Sequence, residues 1–339
     1  MSLEDFMNIK SFNHFDADGM GANILICKFF NLMGYGHSSE QCNTGNDIDE
    51  KIKKYINSYE YSKDTIIIIV DVSMSYEVAS ILDNLPNTKI MIDHHQTAIE
   101  TLNKNNPNKE QTDFKWAYVK EGDSATLLVH RYLLKRAIEE KRHDLYDEMV
   151  KYNHLVKLID LWDTKSRDSE EYISFSSEIN EIVNFLSALG TSEFKARFFI
   201  NPSTQLTEVE RAKLDTTKRI KDNVVKYITP RINTKSYMGE LVEYAVCFSG
   251  VYRSEIADAI SRKYPKVLFV VIINMDTCRV SFRRNSFHKF KSLDLTHIVY
   301  QFSSKDKGGG HPFACAFAFD IGDFADVVTR LLKGDFSLE

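Results

Sequence analysis

Residues 65–72 read TIIIIVDV, an apolar block broken only by Asp71. Every residue in it except the aspartate is β-branched. A run this short and this uniformly apolar predicts a strand covered on both faces. Residues 89–92 (KIMI) predict a second short strand, and residues 76–85 between the two have the pattern of a helix. Strand, helix and strand with short connections imply parallel pairing in an α/β sheet. Upstream, residues 8–13 (NIKSFN) lead into a turn at Asp18-Gly19. A helical stretch follows, centred on Ile24, Leu25, Cys27, Lys28 and Phe29. Downstream, residues 123–142 predict one long helix capped by Asp123 or Ser124. Residues 145–161 predict another helix, and residues 177–189 a third.

The pattern changes near residue 207. Thr207-Glu208-Val209-Glu210 is a capping box. It opens a highly charged helix that runs to about residue 227 and stops before Pro230. This helix reads equally well as an inter-domain connector and as a solvated surface helix. A second α/β pattern follows. Residues 241–248, 266–273, 278–283 and 314–319 predict strands, residues 254–264 a helix, and a final helix runs to about residue 332. The expected organisation is a parallel-sheet α/β domain over residues 1–200, a linker over 201–234, and a smaller α/β domain over 235–339.

Composition narrows the function. A chain of 339 residues with 43% hydrophobic positions can bury two cores. The formal charge of −5 is the wrong sign for coating long nucleic acid, so nucleic-acid contact is expected to be local. No run of 18 apolar residues occurs, so no membrane span is expected. The first residues, MSLEDFMNIK, lack a signal pattern, which points to a cytoplasmic protein. Five scattered cysteines fit reduced thiols and carry no assigned chemistry.

Candidate chemistry lies in four groups. His14, Asp16 and Asp18 alternate at the end of the first predicted strand, just before Gly19. Alternation along extended backbone would aim all three the same way, although the acids also suit a simple turn. Asp71 ends the apolar strand. Asp93, His94 and His95 follow the next one, where alternation would send the two imidazoles apart. Asp160 and Asp163 flank Leu161-Trp162 at a helix C-terminus, which disfavours negative charge. Three of these groups end successive parallel strands, where open α/β sheets hold ligands. Carboxylates with imidazole and no cysteine suit manganese or iron better than structural zinc. Such an inventory is large enough for two ions, which in pairs clamp both oxygens of a phosphate displacement. Farther on, Gly308-Gly309-Gly310-His311 offers a glycine-rich anion nest or a plain flexible turn. Arg283, with Arg284 as its neighbouring alternative, supplies guanidinium groups nearby.

In this order, H-x-D-x-D-G, an aspartate after an apolar strand, D-H-H, D-x-W and G-G-G-H resemble the DHH phosphoesterase superfamily with its DHH-associated C-terminal domain. HFDADG and IDHHQTA are most similar to its nanoRNase and cyclic-nucleotide phosphodiesterase branch. The resemblance implies an active site in a cleft between the domains and two divalent cations, manganese first, with magnesium able to substitute. His14, Asp16 and Asp71 would hold one ion. Asp18, Asp71, His94 and Asp160 would hold the other, with Asp163 as the alternative to Asp160. Asp93 would support the site, and His95 would face the phosphate. Arg283, Gly309, Gly310 and His311 would grip the substrate. The implied activity is metal-dependent hydrolysis of short oligoribonucleotides by activated water. Cyclic dinucleotides, cyclic mononucleotides and 3′-phosphoadenosine phosphate are the alternative substrates, and a non-catalytic nucleotide-binding protein is a further reading. The expected partner is a short nucleotide, without long nucleic acid or membrane, and a homodimer is compatible with the chain.

Overall fold

The computed structural model describes residues 8–43, 45–108, 111–166, 168–290, 292–303 and 308–338. The chain forms two units that part between Leu214 and Asp215. In the first, β1 (Asn8–His14), β2 (Gly36–Cys42), β3 (Ile66–Val70), β4 (Lys89–Asp93) and β5 (Ala117–Val119) make a sheet ordered β2-β1-β3-β4-β5. Every pairing in it is parallel. β3 explains the apolar block. Ile66, Ile68 and Val70 enter one core, while Ile67 and Ile69 enter the core on the opposite face. A strand that feeds two cores has no polar face to display.

Helices cover both faces. The first core takes α1 (Ala17–Leu32), α5 (Ala125–Glu139), α6 (His143–Val150), α7 (Asn153–Thr164) and α8 (Glu170–Ile200). The second takes α2 (Gly45–Ile56), α3 (Tyr76–Asp83) and α4 (Gln96–Leu102). Residues 123–142 hold one helix, shorter at both ends than expected: α5 stops at Glu139, and Lys141 turns the chain with φ 56°. Residues 145–161 also divide into two helices, parting at Lys151 and Tyr152. The helix expected over 177–189 extends in both directions and kinks at Gly190, whose φ of 86° and ψ of 171° suit only glycine. Ser124 provides the cap of α5, its Oγ accepting from Leu127 N at 3.2 Å. Asp123 instead pairs with Lys120 and Arg131.

The capping box forms at α9 (Glu208–Tyr227): Thr207 N donates to Glu210 Oε2 at 2.7 Å, and Glu210 N to Thr207 Oγ1 at 3.2 Å. No residue of α9 is buried. In the second unit, β6 (Arg231–Tyr237), β7 (Glu240–Phe248), β8 (Val267–Asn274), β9 (Arg279–Arg284), β10 (Gly308–His311) and β11 (Ala314–Ala318) form a mixed sheet, ordered β10-β11-β9-β8-β7-β6. α11 (Thr296–Val299) and α12 (Phe324–Lys333) pack on one face. α10 (Arg253–Lys263) packs on the other, over β7 and β8. The glycine triplet is therefore an edge strand rather than a turn or nest, paired antiparallel with β11. An edge strand still leaves alternate backbone groups unpaired by the ladder. Among the described residues, no helix is long and apolar enough to cross a membrane.

Candidate metal centre

β1, β3 and β4 lie side by side, and their C-terminal ends bring the acids and imidazoles of the first unit together. β1 ends at His14. Two residues on, Asp16 caps α1, its Oδ1 accepting from Asp18 N and Gly19 N. Gly19 is needed at this corner because a Cβ there would overlap the carbonyl oxygen of His14. Asp71 follows β3 directly with φ 58°, a left-handed conformation that lifts its carboxylate into the group. Asp93 is the last residue of β4.

Asp71 sits at the junction of two clusters. On one side, His14 Nδ1 is 3.0 Å from Asp16 Oδ2 and 3.8 Å from Asp71 Oδ2. On the other, His94 Nε2 lies 3.2 Å from Asp71 Oδ1, 3.5 Å from Asp18 Oδ2 and 3.6 Å from Asp163 Oδ2. Ligand atoms of His14, Asp16 and Asp71 fall within 4.8 Å of one another, as do those of Asp18, His94 and Asp163. Beside them opens a cavity of about 440 Å³, lined by His14, Asp71, His95, Asn43 and Asp49 among others.

Electrostatics separate the carboxylates. Asp71 is buried, and neither of its oxygens has a hydrogen-bond partner. Burial, followed by the charges of Asp18, Asp16, Asp93 and Asp163, raises its pKa well above the carboxylate range. Asp18 is raised to about 7 by burial and by Asp163, even though it accepts from Ala125 N and Thr126 N at the start of α5. Burial also raises Asp163. Asp93 behaves oppositely. Burial pushes it up, but His95 Nδ1 at 2.7 Å, His94 N at 2.7 Å and Ser73 Oγ at 2.9 Å together hold it below its ordinary value. Burial likewise opposes Asp16, where His14 and Gly19 N prevail and lower it. The hydrogen bond to Asp93 raises His95, while burial lowers His94.

A divalent cation fits these residues. Two orphaned carboxylate oxygens, surrounded by further acids and imidazole nitrogens, are costly without positive charge. Oxygen and imidazole donors without thiolate suit manganese or magnesium.

The structure revises three readings of the sequence. Asp160 stands away from the group because its Oδ1 accepts from Ser124 N at 2.8 Å, at the start of α5. Asp163, one turn farther along α7, is the residue near His94. His94 and His95 do not diverge: their ring centroids are 4.3 Å apart. β4 ends at Asp93, and His95 is already the N-cap of α4, so strand alternation no longer applies. His14, Asp16 and Asp18 also fail to point one way, because α1 begins between them, and Asp18 joins the His94 side. Ser73, which supports Asp93, was not singled out; its place two residues after Asp71 was the available signal.

In the second unit, Arg283 and Arg284 face opposite sides of β9. Arg284 Nη1 donates to Leu293 O at 3.1 Å, whereas Arg283 lies on the face that carries α10. The backbones of Gly309, Gly310 and His311 belong to β10, but their side-chain surroundings, including the His311 imidazole, lie outside the described residues.

Fold and site together define a parallel α/β domain with carboxylate and imidazole groups gathered at its strand ends. Residues 8–182 match the model of the DHH family, N-terminal domain. The chain belongs to the DHH family. It is 23% identical over 317 residues to oligoribonuclease NrnB of Bacillus subtilis (strain 168), covering 88% of this chain and 70% of that protein. Among solved structures it is similar to exonuclease RecJ bound to manganese, with a TM-score of 0.52 and 14% identity, over 98% of this chain and 90% of that one. RecJ of Thermus thermophilus in complex with Mn2+ gives a TM-score of 0.48 at 15% identity, over 98% of this chain and 52% of that one.

Proposed function

We propose that this protein hydrolyses phosphodiester bonds in short oligoribonucleotides, using divalent cations, manganese foremost. The observation that carries the reading is Asp71, a buried carboxylate with both oxygens unpartnered between two clusters of ligand-type groups. His14, Asp16 and Asp71 would hold one cation, and Asp18, Asp71, His94 and Asp163 a second. The likeness to an oligoribonuclease over most of the chain supports the substrate class, and manganese in a RecJ structure of the same fold supports the ion. Bound cations supply Lewis-acid stabilisation of phosphate oxygens and lower the pKa of water.

The side chains have distinct tasks. Asp93 accepts from His95 Nδ1, which fixes the ring and leaves Nε2 for the substrate. Its raised pKa favours the protonated ring, so His95 Nε2–H can donate to a phosphate oxygen or to the leaving oxygen. The adjoining cavity has room for a nucleoside. Arg283 and the unpaired edge groups of β10 would take a further phosphate.

The test is hydrolysis by the full chain with manganese. The substrates are a di- and a pentaribonucleotide, a long RNA, cyclic di-AMP, cyclic AMP and 3′-phosphoadenosine phosphate. Manganese-dependent release of mononucleotides from the short RNAs, lost in Asp71→Ala, is expected. Equal rates on short and long RNA would overturn the short-substrate assignment. Preference for another panel member would replace the substrate, and no turnover with cation bound would replace the enzyme by a binding protein.

A further inference from the structure

The cavity beside the cation centre has walls that the centre does not use. His14, Asp71 and His95 form one side of it. The rest comes from the start of α2, the loop after β3 and α4, and its polar members are Asn43, Asp49, Ser73, Ser75, Thr97 and Thr101. Among the described residues, no lysine or arginine lines this cavity. A phosphate placed there would meet the carboxylate of Asp49 and find no cationic side chain. Nor does a phenyl or indole ring line it, so it offers no such stacking face to a base. Hydroxyls, an amide and one carboxylate suit a neutral group that is itself rich in hydroxyls.

Asp49 is fixed from two directions. Its neighbours on α2, Ile48 and Ile52, are buried in the second core of the first unit. Ser75 N, four residues after Asp71, donates to Asp49 Oδ1 at 3.0 Å. Asp49 Oδ2 takes no hydrogen bond among the described residues. Asp49 also stands outside the groups of ligand-type atoms around Asp71. It is an open acceptor in the cavity wall rather than one more cation ligand. Thr97 and Thr101 lie four residues apart on α4, hence on one face, and both line the same cavity. Their hydroxyls can donate or accept. Carboxylates accept from ribose hydroxyls in the nucleotide sites of other α/β folds. The nucleoside joined to a phosphate at the cation centre is the group that can reach this wall. Only the 3′-terminal nucleoside of a strand has both its 2′- and 3′-hydroxyls free. Every other nucleoside carries a further phosphate at that position, where Asp49 would oppose it.

We propose that Asp49, with Thr97 and Thr101, reads the free 2′,3′-diol of a 3′-terminal ribonucleoside whose 5′-phosphate lies at the cation centre. Asp49 is then a specificity-determining residue. It accepts from the diol and repels a 3′-phosphate. The scissile phosphate stays with the cations. The proposal rests on the oligoribonucleotide reading above and deepens it by naming the strand end that the first unit holds.

The experiment measures binding by calorimetry to the full chain loaded with manganese. The probes are AMP, 2′-deoxy-AMP and 3′-deoxy-AMP, against wild type, Asp49→Ala and Asp49→Asn. Wild type should bind AMP about tenfold more tightly than either deoxy form, the scale of a hydrogen bond to a charged group. Asp49→Ala should erase that preference, and Asp49→Asn, which keeps an acceptor, should retain part of it. Manganese affinity should be alike in all three proteins. Hydrolysis of a diribonucleotide with and without a 3′-phosphate is measured in parallel. The added phosphate should lower kcat/KM of wild type by about tenfold or more, mainly through KM, and Asp49→Asn should recover most of that loss. No binding of AMP, equal binding of the three probes, or a preference that survives in Asp49→Ala overturns the proposal. So does an Asp49→Asn variant that still rejects the 3′-phosphate. A fall in manganese affinity in either variant would place Asp49 in the cation centre and overturn it as well. Hydrolysis without a hydroxyl preference removes the diol reader and keeps the enzyme. A preference lost in Asp49→Ala, with no hydrolysis of any nucleotide, keeps the reader and removes the enzyme.

Discussion

Asp71 and Asp93 end neighbouring strands and are both buried, yet they are held in opposite ways. Asp93 accepts hydrogen bonds from backbone, hydroxyl and imidazole donors, so burial does not neutralise it. Asp71 has none, and its raised pKa means that the cation-free native state holds a proton that the unfolded chain gives up. The contribution of Asp71 to stability is therefore full below pH 3.8 and declines as pH rises toward its folded value. Asp71→Asn removes that penalty. In EDTA at pH 7.5 the variant should melt a few degrees above wild type, while the stabilisation of wild type by manganese should vanish. A lower melting temperature for the variant in EDTA would refute the account.

His37 offers a second test at this scale, away from the site. Its ring lies 3.0 Å from Ser11 Oγ and 3.1 Å from Cys27 Sγ, and burial, then Lys195 and Lys10, lower its pKa to about 3. A depressed histidine contributes stability that is present above pH 6.5 and lost as pH falls toward 3. By pH 5 the loss is about 2 kcal/mol. Denaturant titration of His37→Asn should show correspondingly weaker acid destabilisation; parallel pH profiles would contradict this.

At the scale of elements, the corner between β1 and α1 decides where three ligand-type side chains stand. Gly19→Ala would force the helix start from the strand end, because the new methyl meets the backbone of His14. Manganese affinity, followed by calorimetry, should fall at least tenfold, along with a lower melting temperature. Unchanged affinity would mean that the corner absorbs the methyl without moving His14 or Asp16.

Elements also show why some of the structure was legible in the sequence. β3 was plain because it feeds two cores and has no polar face. β2, GHSSEQC, was not, since an edge strand of polar residues has no apolar alternation to read. α2, with Lys, Asp and Glu over most of its surface, hid its buried Ile48, Ile52 and Tyr55. The acidic and histidine groups were legible because strand ends in a parallel sheet converge. The choice between Asp160 and Asp163 was not. The two lie one turn apart on α7, and it is the start of α5, contacting Asp160 through Ser124 N, that leaves Asp163 near His94.

For the whole molecule, two units with separate cores predict two unfolding events. His14, Asp16, Asp18, Asp71, His94 and Asp163 all belong to the first unit. Differential scanning calorimetry with and without manganese should therefore move one transition by several degrees and leave the other in place. Both moving together would show that the units unfold as one. The net charge of −5 hides a similar division. Acids crowd the sheet edge of the first unit, while Arg253, Arg279 and Arg283 lie near one another in the second.

The unpartnered carboxylate at the end of β3 has a consequence that needs neither substrate nor catalysis. With Asp71 raised well above its ordinary value and Asp18 at about 7, these carboxylates hold protons more tightly than free aspartates when no cation is bound. A cation can take those oxygens only as the protons leave. Loading the protein with manganese in weak buffer should thus acidify the solution. The yield should grow as the starting pH falls from 8 to 6.5, and it should shrink in Asp71→Asn. The site would then announce its occupancy as acid, legible with a glass electrode.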